Sequence, residues 1–228
     1  MKFIKLTLFI LIIALAGLSV PKISNGAFSD PQIIITWKTD SFIPYWYRGR
    51  AMPIRASNIR ASLAMMDNGK IVDLSKYAIG WSGNNGVFEK EIGLINFDFQ
   101  FDKLISEQQN LTATVFNYNG QNVKKTINIP VSRPEIGLET NLNRTIIENG
   151  GKAALRAVPF FFNINSESSL DIKWSVNGKT LTNQSGEKLV ELTVPKFGNE
   201  GFLIGLFSKN RFQELEFASE EKYFNLAK

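Results

Sequence analysis

The chain has 228 residues, of which 44% are hydrophobic and 21% charged, a composition typical of folded protein and of a length that fits two small domains. It contains no cysteine and no histidine, which excludes disulfides, thiolate chemistry, histidine-dependent triads and most zinc sites. The net charge is +5, but three of the 26 basic residues lie in the acid-free residues 1–27, which leaves 23 against 21 acidic residues beyond them. Because no clustered basic run remains, nucleic acid is not expected as a partner.

Residues 1–27 have the layout of an export signal. Two lysines precede an uninterrupted apolar run over residues 6–20, which ends near the small residues Gly26 and Ala27. The run is shorter than the roughly 20 residues that span a bilayer, which favours a cleaved signal peptide over a retained N-terminal anchor. Both alternatives place the rest of the chain outside the cytoplasm, secreted or attached to the outer face of the cytoplasmic membrane. Membrane contact is expected only through residues 1–27, if they are uncleaved.

Residues 28–132 show the period-two alternation of half-buried strands, which we predict for residues 59–65, 77–81 and 95–101. Asn119-Gly120 separates two further apolar segments, 111–118 and 123–129, and this dipeptide favours a type I′ hairpin turn. Pro130 and Pro134 then interrupt strand pairing. We therefore predict a domain boundary near Ser132, with a second domain over residues 133–228.

The second half repeats this plan. We predict strands over residues 155–162, 170–176 and 190–194, with Asn177-Gly178 as a turn after the second of them. A final hairpin is expected to pair residues 202–207 with 212–217 across a turn at 208–211. The order of elements therefore matches that of the first half.

Two tryptophans mark the internal correspondence. Trp81 and Trp174 lie 93 residues apart, each inside a predicted strand and each followed by serine. A buried tryptophan between two sheets is typical of immunoglobulin-like sandwiches. We therefore predict an all-β fold of two tandem immunoglobulin-like β-sandwich domains after the N-terminal segment, with Trp81 and Trp174 as structural core residues.

The strand sequences YAIGW (77–81) and LDIKWSVNG (170–178) resemble bacterial surface modules of the Ig-like and PKD-like superfamily. Residues 82–86 depart from the PKD pattern, because they lack the Phe and the Asp of its Phe-Gly-Asp-Gly turn. The resemblance implies a spacer, an adhesion module or an accessory domain.

An aromatic loop over residues 42–50, FIPYWYRGR, is the leading candidate for binding. Tyr45, Trp46, Tyr47 and Arg48 offer stacking and cation–π contacts to a glycan or peptide. The alternative is that alternate rings pack on a sandwich edge or the domain junction. The run Pro159-Phe160-Phe161-Phe162 poses a similar choice, because a strand cannot place all three rings on one face.

The carboxylate pairs, Asp98 with Asp102 and Glu220 with Glu221, are interpreted as solvated, and no Asp-rich calcium loop or Gly-rich phosphate loop occurs. We predict no catalytic residue, no cofactor and no metal ion. The predicted function is that of a non-enzymatic exported surface protein, acting as a structural spacer or as a subunit of an extracellular assembly or adhesion. Other surface proteins or surface glycans are the expected partners. The alternative is a ligand-binding module that uses the aromatic loop.

Overall fold

The computed structural model describes residues 30–84, 86–101, 109–140, 146–147, 150–182, 186–193 and 201–226. The predicted export segment, residues 1–27, lies outside them. Within the described residues the chain forms sixteen β-strands and one short 3-10 turn, Glu167–Ser169. The predicted all-β class is confirmed.

Eight strands form the first sandwich. One sheet joins β1 to β2, which also pairs with β3 and β6, and the other has the order β5-β4-β7-β8, all antiparallel. The strands are β1 Gln32–Thr39, β2 Asn58–Asp67, β3 Lys70–Ile71, β4 Ala78–Gly83, β5 Gly86–Ile92, β6 Asn96–Gln100, β7 Gln109–Tyr118 and β8 Gln121–Ile129.

The second sandwich repeats this arrangement. Its sheets have the orders β14-β11-β9 and β10-β16-β15-β12-β13, with β10 parallel to β16 and the other pairs antiparallel. The strands are β9 Glu135–Thr140, β10 Ile146–Ile147, β11 Lys152–Phe160, β12 Leu170–Val176, β13 Lys179–Thr180, β14 Leu189–Thr193, β15 Phe202–Asn210 and β16 Phe217–Leu226.

Both sandwiches use the same chain path between their sheets. β1, β2 and β6 share one sheet of the first sandwich, as β9, β11 and β14 do in the second, while β4, β7 and β8 correspond to β12, β15 and β16. This topology is that of immunoglobulin-like sandwiches. The two-sandwich prediction is therefore confirmed. The segment between β8 and β9 contains Ser132, and the exact boundary there stays a prediction.

Each sandwich has its own core, centred on a tryptophan. Trp81 on β4 and Trp174 on β12 are both fully buried between the sheets. The Trp81 indole N–H donates to the Leu94 carbonyl at 2.9 Å, and the Trp174 indole N–H donates to the Glu187 carbonyl at 2.7 Å. In both cases the acceptor lies 13 residues further along the chain. The two halves therefore share a specific buried hydrogen bond as well as a topology.

The predicted Asn-Gly turns are present. Asn119 and Gly120 have φ angles of 48° and 81°, and Asn177 and Gly178 have 47° and 77°. Two consecutive positive φ angles define a type I′ turn, which matches the twist of the flanking strands. Each turn joins an antiparallel pair, β7 with β8 and β12 with β13.

The predicted final hairpin was wrong in its turn and in its second strand, because residues 202–207 pair with 219–224 and not with 212–217. β15 continues to Asn210 and β16 begins at Phe217, so residues 211–216 form the turn that was expected at 208–211. The Asn210 N–H donates to the Glu216 carbonyl at 2.8 Å, and the Asn210 side-chain oxygen accepts from the Phe212 N–H at 3.0 Å. Asparagine readily bonds the backbone two residues ahead in turns. As a result Phe212 and Leu215, expected within a strand, are 82% and 77% exposed.

Candidate functional site

The loop between β1 and β2, residues 40–57, crosses from the first sandwich to the second. We call it the junction loop. The Phe42 N–H donates to the Phe162 carbonyl at 2.7 Å, and the Phe161 N–H donates to the Phe42 carbonyl at 2.6 Å. The Phe42 ring also packs against the second core. The first sandwich thus supplies a partly buried side chain to the edge of the second core.

The aromatic residues of the junction loop divide between the junction and the solvent. The Tyr47 ring meets the Phe160 and Phe161 rings at centroid distances of 5.3 and 6.2 Å, and the Trp46 ring meets Phe160 at 6.1 Å, all close to edge-on. Such pairs contribute about 0.5–1.5 kcal/mol each beyond their buried area. Tyr45, by contrast, is 96% exposed. Tyr47 therefore packs at the junction, while Trp46 contacts Phe160 with one part of its ring and remains 38% exposed.

Tyr45 and Arg48 are both exposed to solvent. Within the loop, the Arg50 guanidinium lies 4.4 Å from the centroid of the Trp37 ring, a cation–π contact that is internal to the first sandwich. A ligand-binding role for Tyr45, Trp46, Tyr47 and Arg48 stays a prediction.

The three phenylalanine rings at the end of β11 do not all lie on one face of the strand, and the backbone at Phe161 departs from strand geometry. Phe162 is fully buried in the second core, while Phe160 and Phe161 contact the junction loop. Phe161 has a φ of 62°, in the left-handed region that bulky residues rarely adopt. This angle breaks the alternation of the strand, so that the two neighbouring rings both reach Tyr47.

Asn163 forms the polar centre of the junction. Its side-chain oxygen accepts from the Ser57 hydroxyl at 2.7 Å, and its side-chain nitrogen donates to the Arg55 carbonyl at 2.9 Å, both in the first sandwich. The same nitrogen donates to Glu216 Oε2 at 3.3 Å, and the Asn163 backbone N–H donates to Glu216 Oε1 at 2.5 Å. One side chain therefore bonds both sandwiches. The sequence reasoning missed it, because nothing local distinguishes Asn163 from other loop asparagines.

Glu216 is a buried carboxyl group, with 4% of its surface exposed. Burial raises the pKa of Glu216, and hydrogen bonds from Asn163 and Asn210 partly oppose that rise. Since the folded pKa lies above the unfolded one, the folded state holds this proton more tightly. The resulting stability is fully present below the unfolded pKa and is lost as the pH rises through the raised folded pKa.

Glu216→Gln is expected to remove this pH dependence, because glutamine keeps the size and one acceptor oxygen but does not titrate. From about pH 4 upward, the free energy of unfolding of the natural protein should fall relative to that of the variant. Urea unfolding of both proteins at several pH values measures the difference. Glu220→Gln, at an exposed position, is the matched control and should follow the natural protein. If the free energy of unfolding changed equally with pH in the natural protein and in Glu216→Gln, the raised pKa of Glu216 in the folded state would be contradicted.

The other candidate carboxylates lie outside the junction. Asp98 receives two hydrogen bonds from the Arg60 guanidinium, both of 2.7 Å, on the outer face of the first sandwich, and these lower the pKa of Asp98. Asp102 lies outside the described residues. Glu220 and Glu221 are exposed, as predicted. In the part of the chain that the structure describes, no group of three or more acidic side chains is placed to hold a metal ion.

Two clefts open beside the junction, on either side of Leu215. One, of about 620 Å³, lies between the start of β9 and the start of β16, and Phe160 and Phe217 are among its walls. The other, of about 430 Å³, lies between the junction loop and the 211–216 turn, with Ile54 and Pro134 among its walls. Leu215 lines both clefts.

Within the described residues there is no helix with the length and hydropathy required to span a bilayer.

No family model and no curated protein matches the chain. Among solved structures, it is similar to three N-terminal domains of the bacteriophage RB49 highly immunogenic outer capsid protein, at 9% identity and a TM-score of 0.45, over 86% of this chain. It spans 59% of that fragment.

The chain is also similar to the fibronectin(III)-like modules of Clostridium thermocellum CbhA, at 10% identity and a TM-score of 0.28, over 84% of this chain and 94% of that one. For a Bacteroides ovatus SGBP-B solved with a mixed-linkage heptasaccharide, the values are 14% identity and a TM-score of 0.26, over 87% and 47%. At these identities the similarity concerns fold only.

Proposed function

We propose that this protein is a non-enzymatic, exported surface protein whose two sandwiches form one stiff unit. It serves as a structural spacer or as a subunit of an extracellular assembly. The junction carries this proposal, because the contacts there restrain the two sandwiches in several independent ways. The export part of the proposal is inferred from the layout of residues 1–27, which is that of a signal segment.

The connecting segment is restrained at both ends and in the middle. Pro130 and Pro134 limit its backbone freedom, and the Ser132 N–H donates to the Pro53 carbonyl of the junction loop at 2.9 Å. Domains joined by a linker alone move freely relative to one another unless their interface holds them. Here the linker itself is bonded to the interface.

The backbone pair between Phe42 and residues 161–162 adds a second restraint, and the Asn163 hydrogen bonds add a third. Each intramolecular hydrogen bond contributes about 0.5–1.5 kcal/mol net, and a buried one costs more when a partner is lost. Because these bonds and the aromatic contacts act on one hinge, bending requires that several break together. A stiff unit holds whatever it carries at a fixed distance from the cell surface.

Surface labelling of intact cells tests the proposed location. Lys70 and Lys179 are exposed and lie at the ends of the two sandwiches that are remote from the junction. A membrane-impermeant amine reagent should modify both lysines without lysis, as peptide mass spectrometry of the recovered protein would show. A cytoplasmic protein of the same cells serves as the control. Modification of these lysines only after lysis would contradict export.

A further inference from the structure

An apolar surface lies beside the junction, on the turn between β15 and β16. Phe212, Leu215 and Phe217 form it, and we call these three residues the hairpin patch. Leu215 is 77% exposed, Phe212 is more exposed still, and Phe217 is half-exposed. Leu215 and Phe217 line the same cleft, and neighbouring exposed apolar side chains of this size mark interaction sites.

The surface combines a projection with two recesses. Leu215 stands between the two clefts, and the walls of both include apolar side chains, which are Ile54, Pro134, Ile136, Phe160 and Phe217. Each cleft is large enough for a leucine or phenylalanine side chain. A surface that carries a projection next to a matching recess is complementary to itself, as a two-fold symmetric interface requires.

The charges around the clefts carry both signs. Arg133, Glu135 and Glu220 border the larger cleft, and Arg55 and Glu214 border the smaller one. A border of one sign would repel a second copy of itself, whereas a mixed border can place each arginine opposite a glutamate. An apolar centre with a charged rim is also the ordinary anatomy of a protein interface.

We propose that a second copy of this chain occupies the clefts, in a two-fold dimer in which Leu215 of each copy enters a cleft of the other. This inference adds a partner to the proposed function. The dimer depends on the proposed function in one respect. Residues of both sandwiches line the smaller cleft, on opposite sides of the junction, so this cleft requires that the two sandwiches be held together as one stiff unit.

A second copy fits the surface better than a sugar does. Leu215, which lines both clefts, is aliphatic and offers no ring face for stacking, and the Phe217 ring is already stacked on Phe207 at a centroid distance of 6.1 Å. The patch is also continuous with the interface between the sandwiches, because Phe160 both lines the larger cleft and contacts Trp46 and Tyr47. A dimer would extend that interface over the exposed side chains at its margin.

Sedimentation velocity of the purified protein across a wide concentration range tests the proposal. We expect a monomer–dimer equilibrium in the natural protein and a dissociation constant at least about tenfold larger for Leu215→Glu. Ile71→Glu is the matched control, since Ile71 is 81% exposed on the first sandwich, outside the patch, and it should dimerise normally. Circular dichroism and the thermal midpoint confirm that both variants fold.

A charge exchange provides a second test that leaves the apolar centre intact. Arg133→Glu should weaken the dimer, and adding Glu220→Arg should restore it in part. A natural protein that remains monomeric at every concentration would overturn the proposal, as would equal effects of Leu215→Glu and Ile71→Glu, or growth into open-ended polymers. The stiffness of the two-sandwich unit is measured separately, from the distance between two spin labels in one chain. A flexible junction is therefore distinguishable from a failure to dimerise.

Discussion

Replacing Trp174 with alanine is expected to destabilise the second sandwich by about 3–5 kcal/mol. The indole is fully buried between the two sheets, so its removal leaves a cavity that the strands cannot close. It also leaves the Glu187 carbonyl without the indole N–H that bonds it at 2.7 Å. A loss of this size approaches the whole stability of a small domain.

Urea unfolding followed by far-ultraviolet circular dichroism measures this effect without relying on the fluorescence of the residue removed. Trp174→Phe keeps most of the packing but not the N–H donor, and should lose less than the alanine variant. Tyr45→Ala, at a position on the junction loop that is 96% exposed, is the control and should lose least. Stability within about 0.5 kcal/mol of the natural protein for Trp174→Ala would show that Trp174 does not support the core.

Asn163→Ala is expected to cost about 2–3 kcal/mol, because it strips partners from groups on both sandwiches at once. The Ser57 hydroxyl loses its acceptor, the Arg55 carbonyl loses a donor, and the Glu216 carboxylate loses the side-chain N–H. Ser57 and Glu216 are buried, so water does not readily replace what is lost.

Equilibrium unfolding compares Asn163→Ala with Asn58→Ala. Asn58 is exposed, and its side-chain nitrogen donates to Asp40 at 2.7 Å, so its replacement should cost less than about 1 kcal/mol. Equal costs for the two variants would mean that Asn163 acts as an ordinary surface residue and that the junction is held by other contacts.

The fold was largely predictable because its signals are local. Alternation in residues 59–65 identified β2, whose alternate side chains are buried, and the Asn-Gly dipeptides identified two hairpins. The spacing of Trp81 and Trp174 identified the repeat, and the structure places both on corresponding strands. The two-residue alternation of apolar side chains predicts strands, and Asn-Gly dipeptides predict hairpin turns. Neither signal depends on distant residues.

The junction was not predictable, because its contacts join residues far apart in the chain. Ser57 and Asn163 are separated by 106 positions, and no motif relates them. The exposure of Phe212 and Leu215 was missed for a different reason. Their hydrophobicity favoured a strand, whereas the side chain of Asn210 and the backbone of residues 213–216 stabilise a wide turn.

The aromatic loop shows the same limit. Composition alone left two alternatives for residues 42–50. Only the positions of Phe160 and Phe161, over a hundred residues later, show that Trp46 and Tyr47 contact the second sandwich. Tyr45 carries the same kind of ring two positions before Tyr47 and faces the solvent. The difference arises from tertiary structure, which the local pattern does not encode.

The stiffness of the junction is tested most directly by double electron–electron resonance between spin labels on the two sandwiches. The chain has no cysteine, so Lys125→Cys on β8 and Lys173→Cys on β12, both at exposed positions, give specific labelling. The labelled protein is diluted with an excess of unlabelled protein, so that any dimer carries both labels in one chain. We expect one narrow distance distribution in the otherwise natural protein and a broader one when Asn163→Ala is added. A distribution that is already broad, and that Asn163→Ala leaves unchanged, would contradict a stiff two-sandwich unit.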